Sequence, residues 1–155
     1  MNNSTKKIPK GLIGIAGVHF VVSELTLRGL IVLPTIRNTA GIDILVSELD
    51  GSSQASLQVK TSLKKVDFWP TSRPEKCLKE PHSFYVFLRY LSEKERFEAF
   101  LESGDKVTEQ IAKNLEDYKK RNRKEFTYWA LPANDMEIQQ LRENWEKWRP
   151  PQFKM

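Results

Sequence analysis

Cysteine is almost absent from this chain of 155 residues, which contains only Cys77. A single cysteine excludes an internal disulfide and a zinc site built from cysteines, and it fits a reducing cytoplasm, where we expect the protein to reside. Histidine is also scarce, with two residues, and neither an HExxH motif nor a phosphate-binding P-loop occurs. The sequence therefore argues against zinc hydrolysis and against binding of nucleoside triphosphates.

Long hydrophobic runs are scarce as well, with one between Gly11 and Val22 that follows three lysines and resembles the core of a signal peptide. His19 interrupts this run, and no small-residue cleavage site follows it. The run is also shorter than a bilayer-spanning segment. We predict a buried helix here and no membrane partner.

The remaining composition is that of a soluble globular protein, with 39% hydrophobic and 29% charged residues. The length predicts a single domain over residues 1–155, with a flexible N-terminus at 1–10. The net charge of +5 and the pI of about 9.3 favour a polyanionic partner without requiring one.

Periodicity and turn residues predict helices and strands in the order α-β-β-β-(α)-β-β-α-β-α. Helices are expected at Gly11–Arg28, Ser103–Arg121 and from Asp135, with a short helical piece around Glu75–Lys79. Strands are expected at Leu30–Leu33, Ile42–Glu48, Ala55–Thr61, Phe84–Tyr90, Phe97–Leu101 and Phe126–Leu131. The pattern predicts an α/β fold with helices packed on one sheet.

The second and third strands are separated by Asp50-Gly51, a strong hairpin signal. A two-residue turn at this point places Asp43 opposite Gln58, and Lys60 shares their face because strand side chains alternate. An acid, an amide oxygen and an amine then meet at one end of the hairpin. A carboxylate beside a second oxygen ligand can hold Mg²⁺ or Mn²⁺. The nearby lysine can orient water or stabilise charge on a phosphate.

The segments Gly41-Ile42-Asp43 and Gln58-Val59-Lys60 resemble the PD-(D/E)XK nuclease superfamily. LTLRGL at the end of the first helix, Asn38 before the acid and FYVFLRY afterwards are similar in order, so the core motif region covers 11–90. Small bacterial proteins that carry Trp-Pro nearby, here Trp69-Pro70, are the members that the chain resembles most.

This resemblance implies a restriction endonuclease-like central mixed β-sheet flanked by helices, and Mg²⁺-dependent cleavage of DNA. Asp43, Gln58 and the Val59 backbone carbonyl would hold the metal, and Lys60 would act on water and phosphate.

Two departures from the family pattern leave a second reading open. Gln58 replaces the usual acid, which removes a negative charge from the metal site. The glutamate of the family's first helix would fall near Val18, which is apolar, so Glu24 and His19 are the candidates to replace it. Glu24 also fits a solvent-facing charge, and His19 a packed or capping residue. The alternative is therefore an impaired nuclease-fold module that binds nucleic acid or a protein without cleaving.

Candidate nucleic-acid contacts flank the motif. Lys64 and Lys65 could follow a phosphate backbone, and Trp69 could stack on a base, although packing in the core is the commoner role for tryptophan. The basic cluster at 119–124 is interpreted as structural, because cations are favoured at a helix end. Two late tryptophans, Trp145 and Trp148, fit core packing or the contact of a homodimer.

Overall fold

The computed structural model describes residues 8–36, 41–121 and 123–152. Within these residues the chain forms three α-helices and seven strands. The helices are α1 (Lys10–Leu27), α2 (Gly104–Lys120) and α3 (Asp135–Lys147). The strands are β1 (Ile31–Pro34), β2 (Ile44–Ser47), β3 (Gln54–Ser62), β4 (Phe68–Pro70), β5 (Ser83–Leu91), β6 (Arg96–Ser103) and β7 (Tyr128–Ala130).

Five strands form the central sheet in the order β1-β2-β3-β5-β6. Only the β3–β5 pair of this sheet is parallel, so the sheet is mixed. The fold is a mixed α/β fold in which helices flank a five-stranded mixed sheet, which confirms the predicted fold class. The prediction missed β4, which pairs with β7 in a separate antiparallel ribbon. The predicted helical piece is a 3-10 turn at Pro74–Lys76.

The β2–β3 hairpin has the predicted register and a different loop. The prediction of a two-residue turn was wrong, because Glu48 N donates to Ser53 O at 3.0 Å and Gly51 N donates to Glu48 O at 3.0 Å. The longer loop is symmetric about the same midpoint, so Ile44 still pairs with Leu57 as the shorter turn requires.

The core lies on both faces of the central sheet. One face carries Ile44, Val46, Ala55, Leu57, Val86, Leu88, Ala99 and Leu101, and packs against α1 and the tryptophans near the end of α3. The other face carries Tyr85, Phe87 and Phe100, and packs against α2 and the β4–β7 ribbon. Trp145 and Trp148 are both buried in the first cluster, so core packing is their role in this structure.

Helix α1 is less buried than the sequence predicted. Its buried residues are Gly17, Val21 and Leu25, whereas Ile15, expected on the buried face, is 47% exposed. The N-terminal half extends past the sheet contact, which leaves its apolar side chains uncovered.

The argument from length against a membrane span was also wrong, because the complete helix of 18 residues is long and apolar enough to cross a membrane by those criteria alone. Mostly buried core helices and signal sequences near the N-terminus pass the same test, and this window is 17% buried.

Candidate metal and nucleic-acid site

Asp43 lies directly before β2, beside the third strand. Its backbone N donates to Leu57 O at 2.9 Å, and its side-chain Oδ2 accepts a hydrogen bond from Val59 N at 2.7 Å. The ladder between β2 and β3 ends at Ile44 and Leu57, so the carboxylate takes the place of the next backbone acceptor. Asp43 is therefore held by a main-chain donor rather than by a flexible side chain.

Val59 has both of its backbone polar groups on the Asp43 side of β3. In a strand, the N–H and C=O of one residue point to the same side. The Val59 N–H reaches Asp43, so the Val59 carbonyl faces the same side, where β2 provides no partner strand. The predicted carbonyl ligand thus lies on the side of the strand that the site requires.

The side chains of Gln58 and Lys60 lie on one face of β3, and those of Leu57 and Val59 lie on the other. Gln58 and Lys60 are both half-buried. The Gln58 amide end lies over the turn before Asp43, since a Cβ at Gly41 would be 3.9 Å from Gln58 Nε2. Burial raises the pKa of the Asp43 carboxyl above its ordinary value. The Val59 hydrogen bond and the Lys60 charge oppose this shift without cancelling it.

Strand β5 borders the site, because it is the neighbour of β3 in the sheet. Tyr85 pairs with Gln58, and Phe87 pairs with Lys60. The buried Tyr85 Oη accepts a hydrogen bond from Leu78 N at 2.9 Å, and Leu78 Cδ2 would lie 3.7 Å from a Cβ at Gly41. Tyr85 thus ties the segment around Leu78 down beside the site. Sequence reasoning missed it, because a parallel pairing across a long crossover has no local signal.

The structure does not bring Glu24 or His19 to this site. Glu24 lies 3.7 Å from Arg28 in an ion pair and lines a groove with Phe97 and Arg142 at the far edge of the sheet. His19 is exposed on α1. Neither Glu24 nor His19 therefore replaces the helix glutamate at this site, because α1 packs on the sheet face opposite to Gln58 and Lys60.

The predicted nucleic-acid contacts divide into two groups. Lys64 and Lys65 are exposed in the loop after β3, where they remain candidates for phosphate contacts. Trp69 is 2% exposed, its Nε1 donates to Leu88 O at 2.9 Å, and its ring contacts Phe87. No ring face is open to a base, so the prediction that Trp69 stacks on nucleic acid is corrected to a core role.

Some predicted features lie outside the described residues, namely the flexible N-terminus up to residue 7 and Asn38. Among the residues that the structure describes, no group of three or more His, Cys, Asp or Glu side chains could hold a metal ion. Asp43 is thus the sole charged ligand of the predicted set. Any ion at this place would depend on neutral oxygens for its other protein ligands.

The fold and this constellation define a mixed α/β protein with an acid, a carboxamide and an amine at one end of a hairpin. No protein-family model and no curated protein sequence matches the chain. Among solved structures, the chain is similar to a bacterial homing endonuclease, I-Ssp6803I, with 13% sequence identity and a TM-score of 0.47. The match covers 94% of this chain and 83% of that one.

Proposed function

We propose that the protein is a Mg²⁺- or Mn²⁺-dependent DNA endonuclease of the PD-(D/E)XK type. The observation that carries this proposal is the Val59 N–H bond to Asp43 Oδ2 at 2.7 Å. It fixes a half-buried carboxylate where the strand ladder opens, next to a main-chain carbonyl and a lysine.

The donor set suits a hard divalent cation with few protein ligands. The second Asp43 oxygen, the Gln58 amide oxygen and the Val59 carbonyl are all oxygen donors, which Mg²⁺ and Mn²⁺ prefer. When bound, such an ion would activate water and neutralise charge on a phosphate. The single negative charge predicts weak metal binding that bound nucleic acid strengthens.

The side chains of the site have distinct roles in this proposal. Asp43 provides the charged metal ligand, and its carboxylate is already fixed by Val59. Lys60 places a positive charge beside the carboxylate and can stabilise the charge that develops on a phosphate. Lys64 and Lys65 bind the phosphate backbone further along the chain, which predicts affinity that falls steeply with salt.

The test compares Asp43→Asn and Lys60→Ala with wild type in two assays. Both variants should lose Mn²⁺-dependent nicking of plasmid DNA, and Asp43→Asn should also lose Mn²⁺ binding measured by electron paramagnetic resonance. Thermal unfolding followed by circular dichroism checks that the fold is retained. Nicking that survives in both folded variants would exclude this mechanism.

One observation favours a second candidate, a nuclease-fold module that binds nucleic acid without cleaving it. Within the described residues Asp43 belongs to no group of three or more ligating side chains, and Glu24 lies elsewhere. This candidate predicts salt-sensitive DNA binding that is independent of metal, with no nicking under Mg²⁺ or Mn²⁺. Wild-type cleavage that Asp43→Asn removes would reject it.

A further inference from the structure

Four aromatic side chains form a continuous cluster on the surface away from Asp43. We call Phe68, Tyr118, Phe126 and Tyr128 the aromatic platform. Phe126 and Tyr128 are stacked with ring centroids 5.5 Å apart, and Phe68 meets them edge-on at 6.2 and 5.9 Å. Tyr118 from α2 meets Tyr128 edge-on at 6.2 Å. The rings hold one another in place.

The β4–β7 ribbon explains why these rings point outward. Trp69 pairs with Trp129, and both face the core with 2% exposure. Alternation along the strands then puts Phe68 and Tyr128 on the other face of the ribbon. Phe68 is 47% exposed and Phe126 is 39% exposed. Large aromatic rings left this open form the kind of patch that marks a binding site.

Helix α2 holds the platform rigidly. The Gln110 side chain donates to Ala130 O at 3.1 Å and accepts from Ala130 N at 2.8 Å, so it completes the free edge of β7. Asn114 donates to Tyr128 O at 3.3 Å. The strand that carries Tyr128 is therefore anchored at two points, and little order would have to be gained on binding.

The C-terminal end of α2, which carries Tyr118, also supplies positive charge. The chain around it contains five cations within six residues, namely Lys119, Lys120, Arg121, Arg123 and Lys124. Arg121 and Arg123 line a cavity of about 410 Å³ together with Tyr118 and Tyr128, and among the described residues Asp117 is its one acidic lining residue. Aromatic rings and guanidinium groups thus share one recess.

We propose that the aromatic platform and this recess bind unpaired nucleotides of single-stranded nucleic acid. Open rings provide stacking surfaces for bases, and the adjacent arginines match the phosphates between them. Duplex DNA fits this arrangement poorly, because its bases hide their faces within the stack. A purely acidic partner would use the cations and leave the rings without a role.

The platform is distinct from the Asp43 site, and its ligand follows from its own chemistry. The ribbon separates the two: its inner face stacks Trp129 on Phe87 at 3.9 Å, and Phe87 pairs with Lys60. Binding at the platform therefore does not require cleavage at Asp43, so either proposal can fail while the other holds.

The test measures fluorescence anisotropy of a labelled oligothymidylate, without divalent metal, against an abasic oligomer of the same length and a duplex. Wild type should bind the oligothymidylate more tightly than the abasic oligomer. Phe68→Leu with Tyr128→Leu should weaken its binding by about ten-fold or more and leave the abasic oligomer unaffected, since each stacked base contributes several-fold. Arg121→Gln with Arg123→Gln should weaken both single strands and reduce the salt slope by about 1.4.

A matched charge control is Lys106→Gln with Lys147→Gln, which removes two exposed cations at sites remote from the platform. This pair should change affinity by less than two-fold. The assay contains no divalent metal, so metal-dependent cleavage at Asp43 does not contribute to it, which separates the platform from the nuclease proposal. Equal wild-type affinity for the oligothymidylate and the abasic oligomer, or unchanged oligothymidylate binding in the variant with Phe68→Leu and Tyr128→Leu, would overturn the platform proposal.

Discussion

Gly17 of α1 lies directly against the Thr61 side chain of β3, and a Cβ at residue 17 would overlap it. The two backbones approach closely because glycine has no side chain at this point. Gly17→Ala should therefore lower the free energy of unfolding by about 1–3 kcal/mol, the usual cost of overpacking. Urea unfolding followed by circular dichroism measures this change.

Gly14 provides the matched control on the same helix, because nothing lies within 4 Å of a Cβ there. Gly14→Ala should raise the free energy of unfolding by about 0.5–1 kcal/mol through helix propensity. Thr61→Ala should restore most of the loss in Gly17→Ala, since Thr61 Oγ1 is buried without a hydrogen-bond partner among the described residues. Equal effects of both glycine substitutions would contradict the contact.

The sequence predicted the part of the site that depends on neighbouring strands. Asp43 and Gln58 belong to one hairpin, where alternation and a symmetric loop are enough to set the pairing. The position of Tyr85 beside Gln58 could not be predicted in this way, because β3 and β5 are parallel and joined by a long crossover. Local patterns contain no information on that register.

The β4–β7 ribbon is a second pairing between distant segments that local sequence patterns could not predict. Trp69 and Trp129 are sixty residues apart and face each other across the ribbon. In the sequence, Trp69 stands between prolines and charged residues, a context that is typical of an exposed loop. Only the distant partner strand buries it, so the sequence offered core packing as the commoner role of a tryptophan but could not predict this partner or the outward direction of Phe68.

Gln58→Glu should strengthen metal binding at Asp43. The substitution adds a second carboxylate to a site with a single charged ligand, and ligand charge controls affinity for hard cations. The dissociation constant of Mn²⁺ should fall about ten-fold or more. Without metal, repulsion between the two carboxylates should reduce stability, and Mn²⁺ should restore it. Isothermal titration and thermal unfolding measure the two effects.

The control for that substitution is Gln54→Glu, which adds the same charge to the same face of β3 at an exposed position beside Ser47. Neither Mn²⁺ affinity nor metal-dependent stability should change in this variant. If both glutamate variants bind Mn²⁺ equally, the metal does not bind at Asp43.

Glu98 should make stability depend on pH in the acid range. Burial opposes its ionisation, but hydrogen bonds from Arg89 Nε at 2.6 Å and Arg142 Nε at 2.7 Å outweigh burial and lower its pKa. A lowered folded-state pKa means that the stabilisation is complete above the unfolded value of about 4.3. It disappears as the pH falls through the lower folded value. Urea unfolding at a series of pH values measures the loss.

Glu98→Gln should remove this pH dependence and cost about 3 kcal/mol at neutral pH, because Arg89 is 5% exposed and would keep only the exposed Asp67 as a charged partner. Glu93→Gln, at an exposed position in the same hairpin, is the control and should leave the pH profile unchanged. If wild type and Glu98→Gln have the same free energy of unfolding at every pH, both below and above pH 5, the ion pairs contribute no net stability.

Tyr85→Phe should loosen the segment beside the proposed metal site. The substitution removes the acceptor for Leu78 N, and an unpaired buried amide costs about 1–3 kcal/mol. Exchange of the Leu78 amide proton, followed by nuclear magnetic resonance, should become faster. Mn²⁺ affinity should fall although Asp43 and Val59 are unchanged, because Leu78 helps to hold the Gly41 turn.

Tyr90→Phe on the same strand is the matched control, since Tyr90 meets Phe97 through its ring edge at 5.2 Å. It removes one hydroxyl without touching the Leu78 segment, so Leu78 exchange and Mn²⁺ affinity should both stay at wild-type values. Faster Leu78 exchange in Tyr85→Phe with unchanged Mn²⁺ affinity would mean that the segment packs beside the site without shaping it. Unchanged exchange in both variants would mean that the Tyr85 hydroxyl does not anchor the Leu78 backbone.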